Sequence, residues 1–236
     1  MRLLGKWIIK NNMLDRQKHE QILKNILREI YTTPDLQGRL TFKGGTCLYM
    51  FYGLDRFSID LDFNVMSETL PEQTISNILK KYLIIDDQMN KYFTWFWLGS
   101  YEKGKKKVKI EMNKREHDDT YVNKNFYGLT IPTLSPDCMF AHKLCAITDR
   151  KKLQNRDLYD AHFMFIKNFP INDAIIEART GKKTKEYFKY LIEFIEKNVN
   201  PSTVLDGLGE LLDDSQKDRI KATLIPDLLF DLKTRI

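Results

Sequence analysis

The chain has few cysteines, and their number and spacing exclude two kinds of small scaffold. Three cysteines occur among 236 residues. An odd count without a CxxC pair fits neither a disulfide framework nor a cysteine-ligated zinc site. We therefore expect buried free thiols at these positions, which are Cys47, Cys138 and Cys145.

The sequence also lacks a long apolar run. No stretch approaches the roughly 20 consecutive apolar residues that a membrane span requires. Near the N-terminus, Trp7-Ile8-Ile9 is followed at once by Lys10, so the apolar core of a signal peptide is missing. A hydrophobic content of 42% is nevertheless enough for a core. These features predict a globular, cytoplasmic protein without a membrane segment.

An excess of acidic residues is absent as well. The formal net charge is +6 and the sequence pI is about 9.0, which favours a polyanionic partner such as nucleic acid or a nucleotide. One lysine-rich segment separates two strand-like runs, which predicts a hairpin. It is either a solvated turn or a contact to a phosphate backbone, and the sequence leaves both open. Its lysines are Lys103, Lys105, Lys106, Lys107 and Lys109.

Internal repeats and low-complexity segments are missing too, so changes in hydrophobic period have to reveal the organisation. Apolar residues at helical spacing predict helices over residues 14–31 and 72–84. Alternating runs predict strands over residues 92–98, 108–113 and 129–133. Helices and strands without regular βαβ repetition predict an α/β or α+β first half.

The hydrophobic period changes at residues 131–136. Ser135 and Pro136 have the N-cap and first-turn character of a helix start, and helical spacing then continues to the C-terminus. We therefore predict two domains, an α/β domain over residues 1–133 and a helical bundle over residues 134–236. The expected bundle core contains Phe140, Leu144 and Ile147, then Tyr159, Phe163 and Ile166, and then Tyr187, Leu191, Phe194 and Ile195.

A glycine pair precedes a helix-like run in the first half. Gly44 and Gly45 let the backbone approach a ligand closely, and Thr46 begins a run that extends to Tyr52. The first turn of a helix offers unpaired N–H groups to an anion. The triphosphate of a nucleotide is therefore the predicted ligand of this turn.

A pair of acidic residues follows this helix-like run. Apolar residues alternate with Asp60 and Asp62 over residues 59–65, so a strand here presents both carboxylates on one face, roughly 7 Å apart at Cα. Two carboxylates this close repel each other unless a cation compensates. A site for Mg²⁺ is the favoured interpretation, and an acidic edge strand is the plain alternative.

Two polar residues lie just before the acidic pair. The guanidinium of Arg56 can neutralise a phosphate, orient a carboxylate or form an ordinary surface ion pair. The hydroxyl of Ser58 can bond a phosphate oxygen. Both positions are predicted to belong to the nucleotide site.

A third carboxylate lies on a later strand. Glu111 alternates with the apolar residues of the run over residues 108–113 and so faces away from the apolar layer. If this strand is next to that of Asp62, Glu111 completes the metal shell or deprotonates an attacking hydroxyl. The equal alternative is an ion pair with the neighbouring lysines.

Together with Lys143 and the segment from Arg156 to Asp160, these motifs resemble the AbiEii/AbiGii (MenT-like) nucleotidyltransferase toxins. The resemblance spans residues 42 to about 165 and places the chain in the DNA polymerase β-like nucleotidyltransferase superfamily. It implies an α+β fold, with a mixed sheet flanked by helices and a C-terminal helical bundle.

The resemblance also implies roles for single residues. Asp60 and Asp62 would bind Mg²⁺ or Mn²⁺, and Ser58 would lie near the phosphates. Lys143 and Asp157 would match a family lysine and a later aspartate. From the residues alone, Lys143 is either solvated or reaches a cleft between the two domains. The carboxylate of Asp157 is equally suited to a helix N-terminus.

The implied activity is transfer of a nucleoside monophosphate from an NTP to an acceptor, with release of pyrophosphate. By resemblance the acceptor is tRNA or another RNA, and the protein is the toxin of a toxin–antitoxin or phage-defence system with a cognate antitoxin. Two alternatives stay open. One is a small-molecule nucleotidyltransferase of the antibiotic-modifying type, and the other is a nucleotide- or RNA-binding module without turnover.

Overall fold

The computed structural model describes residues 14–103, 106–115 and 117–236. Trp7-Ile8-Ile9 and Lys105, which entered the sequence analysis, lie outside these ranges. The described chain divides into two compact units. Of the described residues, the first unit draws on 14–51, 58–103, 106–115 and 122–133, and the second on 52–57, 117–121 and 134–236. The domain boundaries drawn from the sequence stay a prediction.

The described strands of the chain form one mixed, seven-stranded sheet with the order β3-β4-β5-β2-β1-β7-β6. Strand β2 runs parallel to β5, and β1 runs parallel to β7. The pairs β1/β2, β3/β4 and β4/β5 are antiparallel. The strands are β1 (Leu40–Lys43), β2 (Leu61–Val65), β3 (Ile84–Lys91), β4 (Thr94–Ser100), β5 (Lys107–Asn113), β6 (Tyr121–Phe126) and β7 (Leu129–Leu134).

The two faces of the central strands differ in chemistry. Leu61 pairs with Ile110 and Phe63 pairs with Met112, and all four side chains are fully buried. The alternate positions carry the polar residues, as the period-two pattern predicts. Strand β2 begins one residue after Asp60, because the Asp60 side chain meets β5 there. Its Oδ1 accepts the backbone N–H of Lys109 at 3.2 Å.

Three helices belong to the first unit: α1 (Arg16–Thr32), α2 (Gly44–Tyr52) and α3 (Glu72–Lys80). The helix predicted over residues 14–31 is confirmed as α1, and its N-cap Asp15 accepts the N–H of Lys18 at 3.1 Å. Helix α3 ends four residues before the predicted residue 84, because the chain from Ile84 pairs with β4 instead.

The second unit is helical, as predicted. Its helices are α4 (Pro136–Asp149), α5 (Asn155–Ile166), α6 (Asp173–Thr180), α7 (Thr184–Asn198) and α8 (Asp214–Lys233). Most of the expected core residues are buried. Phe194 is only half-buried, and the prediction for Ile166 is wrong, since it is 60% exposed at the last position of α5.

The cysteine prediction is confirmed. All three thiols are free and buried, and burial raises the pKa of Cys145 to about 11. Among the described helices, none combines the length and apolar character needed to cross a membrane.

Candidate active site

Gly44 brings the start of α2 against the carboxylate of Asp62. Its φ of +83° lies in the left-handed region, which glycine adopts without strain. A Cβ added at Gly44 would lie 2.5 Å from Oδ2 of Asp62, so a larger residue cannot occupy this position unless Asp62 moves. The glycine turn and the acidic strand, which the sequence suggested as one site, are therefore in contact.

Asp62 and Glu111 face each other across two parallel strands. They are register partners in the β2/β5 pair, so their side chains emerge on the same face of the sheet. The side chains are 27% and 35% exposed, respectively. Glu111 was a candidate third carboxylate on the condition that its strand is next to that of Asp62. The pairing of β2 with β5 confirms this condition.

Lys109 supplies a positive charge to these carboxylates. Its Nζ lies 3.0 Å from Oε2 of Glu111 and 3.9 Å from Oδ1 of Asp62. Burial lowers the pKa of Lys109, but the attraction of Asp62, Glu111 and Asp60 outweighs burial, and the net pKa is raised. The ion pair between Glu111 and a neighbouring lysine, which was the alternative interpretation from sequence, is thus present in the structure.

The donor set suits a magnesium ion that also binds a substrate. Among the residues that the structure describes, no three or more His, Cys, Asp or Glu side chains form a metal cluster. Mg²⁺, however, is commonly held by one or two carboxylates together with substrate phosphates and water. Asp62 and Glu111 fit that requirement, and both carboxylates lie within ion-pair distance of the Lys109 ammonium.

The hydroxyl of Ser58, which is predicted to bond a phosphate oxygen, is hydrogen-bonded to Thr46. The buried Thr46 hydroxyl donates to Oγ of Ser58 at 2.9 Å and also contacts the carbonyl oxygen of Asp60. Ser58 is 7% exposed. These contacts fix the backbone that leads into the acidic pair. Gly45 is buried in the first turn of α2.

A histidine that the sequence analysis missed holds the same backbone. His19 is fully buried on α1, and its Nε2 donates to the carbonyl oxygen of Ile59 at 3.0 Å. Burial lowers the pKa of His19, which keeps the ring neutral. The available signal was its position four residues before Leu23, on the apolar stripe of α1.

Arg56 belongs to the second unit, where it orients a carboxylate. Its Nε and Nη2 donate to the two oxygens of Asp160 at 2.7 and 2.8 Å, and both side chains are buried. Its Nη1 donates to the carbonyl oxygen of Phe57 at 3.0 Å. Three roles were predicted for Arg56, and the structure shows the one in which its guanidinium orients a carboxylate.

Lys143 and Asp157 extend this network. Nζ of Lys143 lies 2.7 Å from Asp160 and 3.5 Å from Asp157, and Nε of Arg150 lies 2.6 Å from Asp157. Burial raises the pKa of Asp160, but Arg56 and Lys143 outweigh burial and hold that pKa below its usual value. The structure therefore groups the predicted site residues into two sets, one in each unit.

One family model matches most of the chain. The family described as nucleotidyl transferase AbiEii toxin, of a type IV toxin–antitoxin system, matches residues 25–230. No curated protein matches the sequence significantly.

Two solved structures share the fold. The protein JHP933 from Helicobacter pylori superposes with a TM-score of 0.57 at 20% identity, over 95% of this chain and 96% of its own. The nucleotidyltransferase toxin MenT4 from Mycobacterium tuberculosis superposes with a TM-score of 0.53 at 16% identity, over 92% of this chain and 82% of its own. Since the family match covers most of the sequence, the chain belongs to the AbiEii family and is a nucleotidyltransferase toxin.

Proposed function

We propose that the protein transfers a nucleoside monophosphate from an NTP to an RNA acceptor, tRNA being the favoured one. The reaction requires Mg²⁺ or Mn²⁺, takes place in the cytoplasm and serves a toxin–antitoxin or phage-defence system. The contact between Gly44 and Asp62 carries this proposal, because it joins a phosphate-binding helix start to a metal-binding carboxylate. The AbiEii family itself implies an antitoxin partner and an NTP substrate.

Different residues of the first unit bind the triphosphate and the metal. The N–H groups at the start of α2 hold the triphosphate, and Asp62 and Glu111 would hold the metal together with substrate phosphates and water. The assignment of Asp60 as a further ligand rests on the family resemblance. A divalent ion bound there neutralises phosphate charge and polarises the reacting oxygens. Thr46 and His19 act indirectly, since they bond the backbone carbonyl oxygens of Asp60 and Ile59, respectively.

The bond changes follow from this arrangement. The acceptor hydroxyl oxygen bonds to the α-phosphorus, and the bond from that phosphorus to the bridging oxygen breaks, so pyrophosphate leaves. The hydroxyl proton passes to a carboxylate, for which Glu111 is our candidate when it does not bind the metal. The assignment of Lys143 and Asp157 to catalysis rests on the family resemblance alone.

The test is label transfer. The protein is incubated with Mg²⁺, total tRNA and each α-labelled NTP in turn, and label is scored on RNA and on protein. Asp62→Asn keeps the size of the side chain and removes its charge, so we expect transfer to RNA to fall at least about 100-fold. Asp60→Asn is expected to do the same. Asp35→Asn, at an exposed position, is the control and should transfer normally.

Two results would contradict the proposal. Undiminished transfer in both the Asp60→Asn and Asp62→Asn variants would show that the site is elsewhere. Absence of label on RNA with every NTP, in a folded protein that still binds the triphosphate, would exclude an RNA acceptor and leave the small-molecule or binding-module alternatives.

A further inference from the structure

The turn between β3 and β4 exposes two aromatic rings. Tyr92 is 85% exposed and Phe93 is 46% exposed, and their ring centroids lie 4.5 Å apart in an edge-to-face arrangement. The carbonyl oxygen of Phe93 accepts the backbone N–H of Lys114 at 2.9 Å, so this turn is tied to the segment that follows β5. Adjacent exposed rings on a fixed turn are typical of a binding surface.

Basic residues lie next to this turn. The guanidinium carbon of Arg115 lies 4.9 Å from the centroid of the Phe93 ring, and Nζ of Lys114 lies 4.0 Å from that of Trp95. Lys91 is exposed next to Tyr92. We define the β3–β4 tip as Lys91, Tyr92, Phe93, Lys114 and Arg115.

One acidic residue, Glu72, bonds to groups next to the tip. Glu72 accepts hydrogen bonds from Trp95 Nε1 at 2.9 Å and from Asn90 Nδ2 at 3.1 Å. Lys114 in turn donates to Oδ1 of Asn90 at 3.0 Å. Glu72 therefore supports the indole and amide groups below the tip, while the exposed rings keep basic neighbours.

Flat exposed rings beside cations suit one class of ligand well. Unpaired nucleobases stack on aromatic side chains, and the phosphates that link them attract lysine and arginine. An acidic peptide would use the cations and leave the two rings without a matching group. The combination therefore favours single-stranded nucleic acid over an acidic protein.

The tip is also close to the carboxylates along the sheet. Glu111 lies on β5, three residues before Lys114, which corresponds to about 10 Å of extended chain. We propose that the β3–β4 tip binds the single-stranded end of the RNA acceptor by stacking unpaired bases on Tyr92 and Phe93. This inference rests on the proposed function for the identity of the acceptor, but the binding itself needs neither NTP nor metal.

The experiment measures binding without turnover. Fluorescence anisotropy compares a labelled single-stranded RNA oligonucleotide with a blunt duplex of the same sequence, in the absence of NTP and Mg²⁺. For Tyr92→Ala/Phe93→Ala we expect single-strand affinity to fall at least about tenfold and duplex affinity to change little. Arg115→Gln should reduce the slope of log affinity against log salt by about one.

Two further variants separate stacking from misfolding. Tyr92→Ala alone removes a side chain that is 85% exposed, so it should keep the melting temperature while weakening single-strand binding. Phe230→Ala removes another exposed ring, on α8, and should bind the oligonucleotide as the parent does.

Equal single-strand affinity in the parent and in the double variant would overturn the proposal. An equal loss of affinity for single strand and duplex would also overturn it, because stacking cannot explain such a loss.

Failure of the proposed function can be distinguished from failure of this inference. If label transfer to RNA is absent but the tip variants still lose single-strand binding, the binding surface is supported and the proposed reaction is contradicted. If transfer requires Asp62 but the tip variants keep the parent's affinity for single-stranded RNA, the reaction is supported and the binding surface is contradicted.

Discussion

At the scale of single residues, Gly44 offers the sharpest test of the site. An alanine at φ +83° costs about 1–2 kcal/mol in backbone strain, and its Cβ would meet Oδ2 of Asp62 at 2.5 Å. We expect Gly44→Ala to abolish nucleotidyl transfer and to lower the free energy of unfolding by more than backbone strain alone. Urea unfolding and the label-transfer assay measure the two effects.

Gly128 provides the matched control for that substitution. Its φ is +87°, but a Cβ added there would meet no atom within 4 Å. Gly128→Ala therefore carries the backbone strain without the clash, and it should keep its activity. If the two variants lost equal stability and both stayed active, the contact between Gly44 and Asp62 would have no functional importance.

The residue scale also shows which parts of the site were accessible from sequence. The alternation over residues 59–65 and the glycine pair depend on neighbouring residues, so the sequence indicated Asp62 and Gly44 directly. The bonds of Thr46 and His19 to the backbone before β2 join positions 14 and 40 residues apart in the chain. No local pattern encodes such a pairing, so the sequence alone did not indicate these two contacts.

At the scale of elements, the strands that the sequence analysis missed include both edges of the sheet. Strand β3 has half-buried or exposed side chains throughout, and β6 buries one residue, so neither shows the apolar alternation by which a strand is recognised. An edge strand is held by backbone hydrogen bonds to one neighbour, and its polar side chains limit pairing with other chains. Strands β4 and β5 lie inside the sheet, and apolar residues at the spacing of a strand are recognisable in the sequence of both.

The buried network on α4 and α5 predicts a dependence of stability on pH. Arg56 and Lys143 hold the pKa of Asp160 below its unfolded value of about 3.9, despite burial, which acts in the opposite direction. A carboxyl group whose pKa is lowered by folding stabilises the protein above the unfolded pKa. That stabilisation disappears as the pH falls through the lower native pKa. The parent should therefore lose stability below about pH 4.

Asp160→Asn tests this assignment. The variant leaves Arg56 buried without its anion, so we expect the free energy of unfolding at neutral pH to fall by about 3–5 kcal/mol. The difference from the parent should shrink as the pH is lowered, and urea unfolding across the acid range measures it. The Asp35→Asn control should follow the parent. A difference that stayed constant with pH would show that the charge of Asp160 does not contribute.

At the scale of the whole molecule, chain order does not determine which unit a segment joins. Residues 52–57 begin at the last residue of α2 and precede β2, yet they belong to the helical unit. There Arg56 binds the carboxylate of a residue 104 positions later in the chain. Arg56 lies only four residues before Asp60 in the chain, and this proximity is what indicates the nucleotide site for it from sequence. The helical second half and the mixed sheet were predictable, since they follow from hydrophobic period and from the family resemblance.

Nucleotide binding should slow amide hydrogen exchange in one region of the chain, around the Gly44 turn. A ligand at 100 times its dissociation constant stabilises the form that binds it by about 2.7 kcal/mol, which slows exchange of the amides it protects by about 100-fold. With Mg²⁺ and a non-hydrolysable NTP analogue, we expect slower hydrogen–deuterium exchange at the start of α2 and along β2 and β5. In Asp62→Asn this protection should disappear, because the carboxylate that faces both the helix start and Glu111 has lost its charge. Protection confined to other segments, or unchanged in Asp62→Asn, would show that the nucleotide binds away from the Gly44 turn.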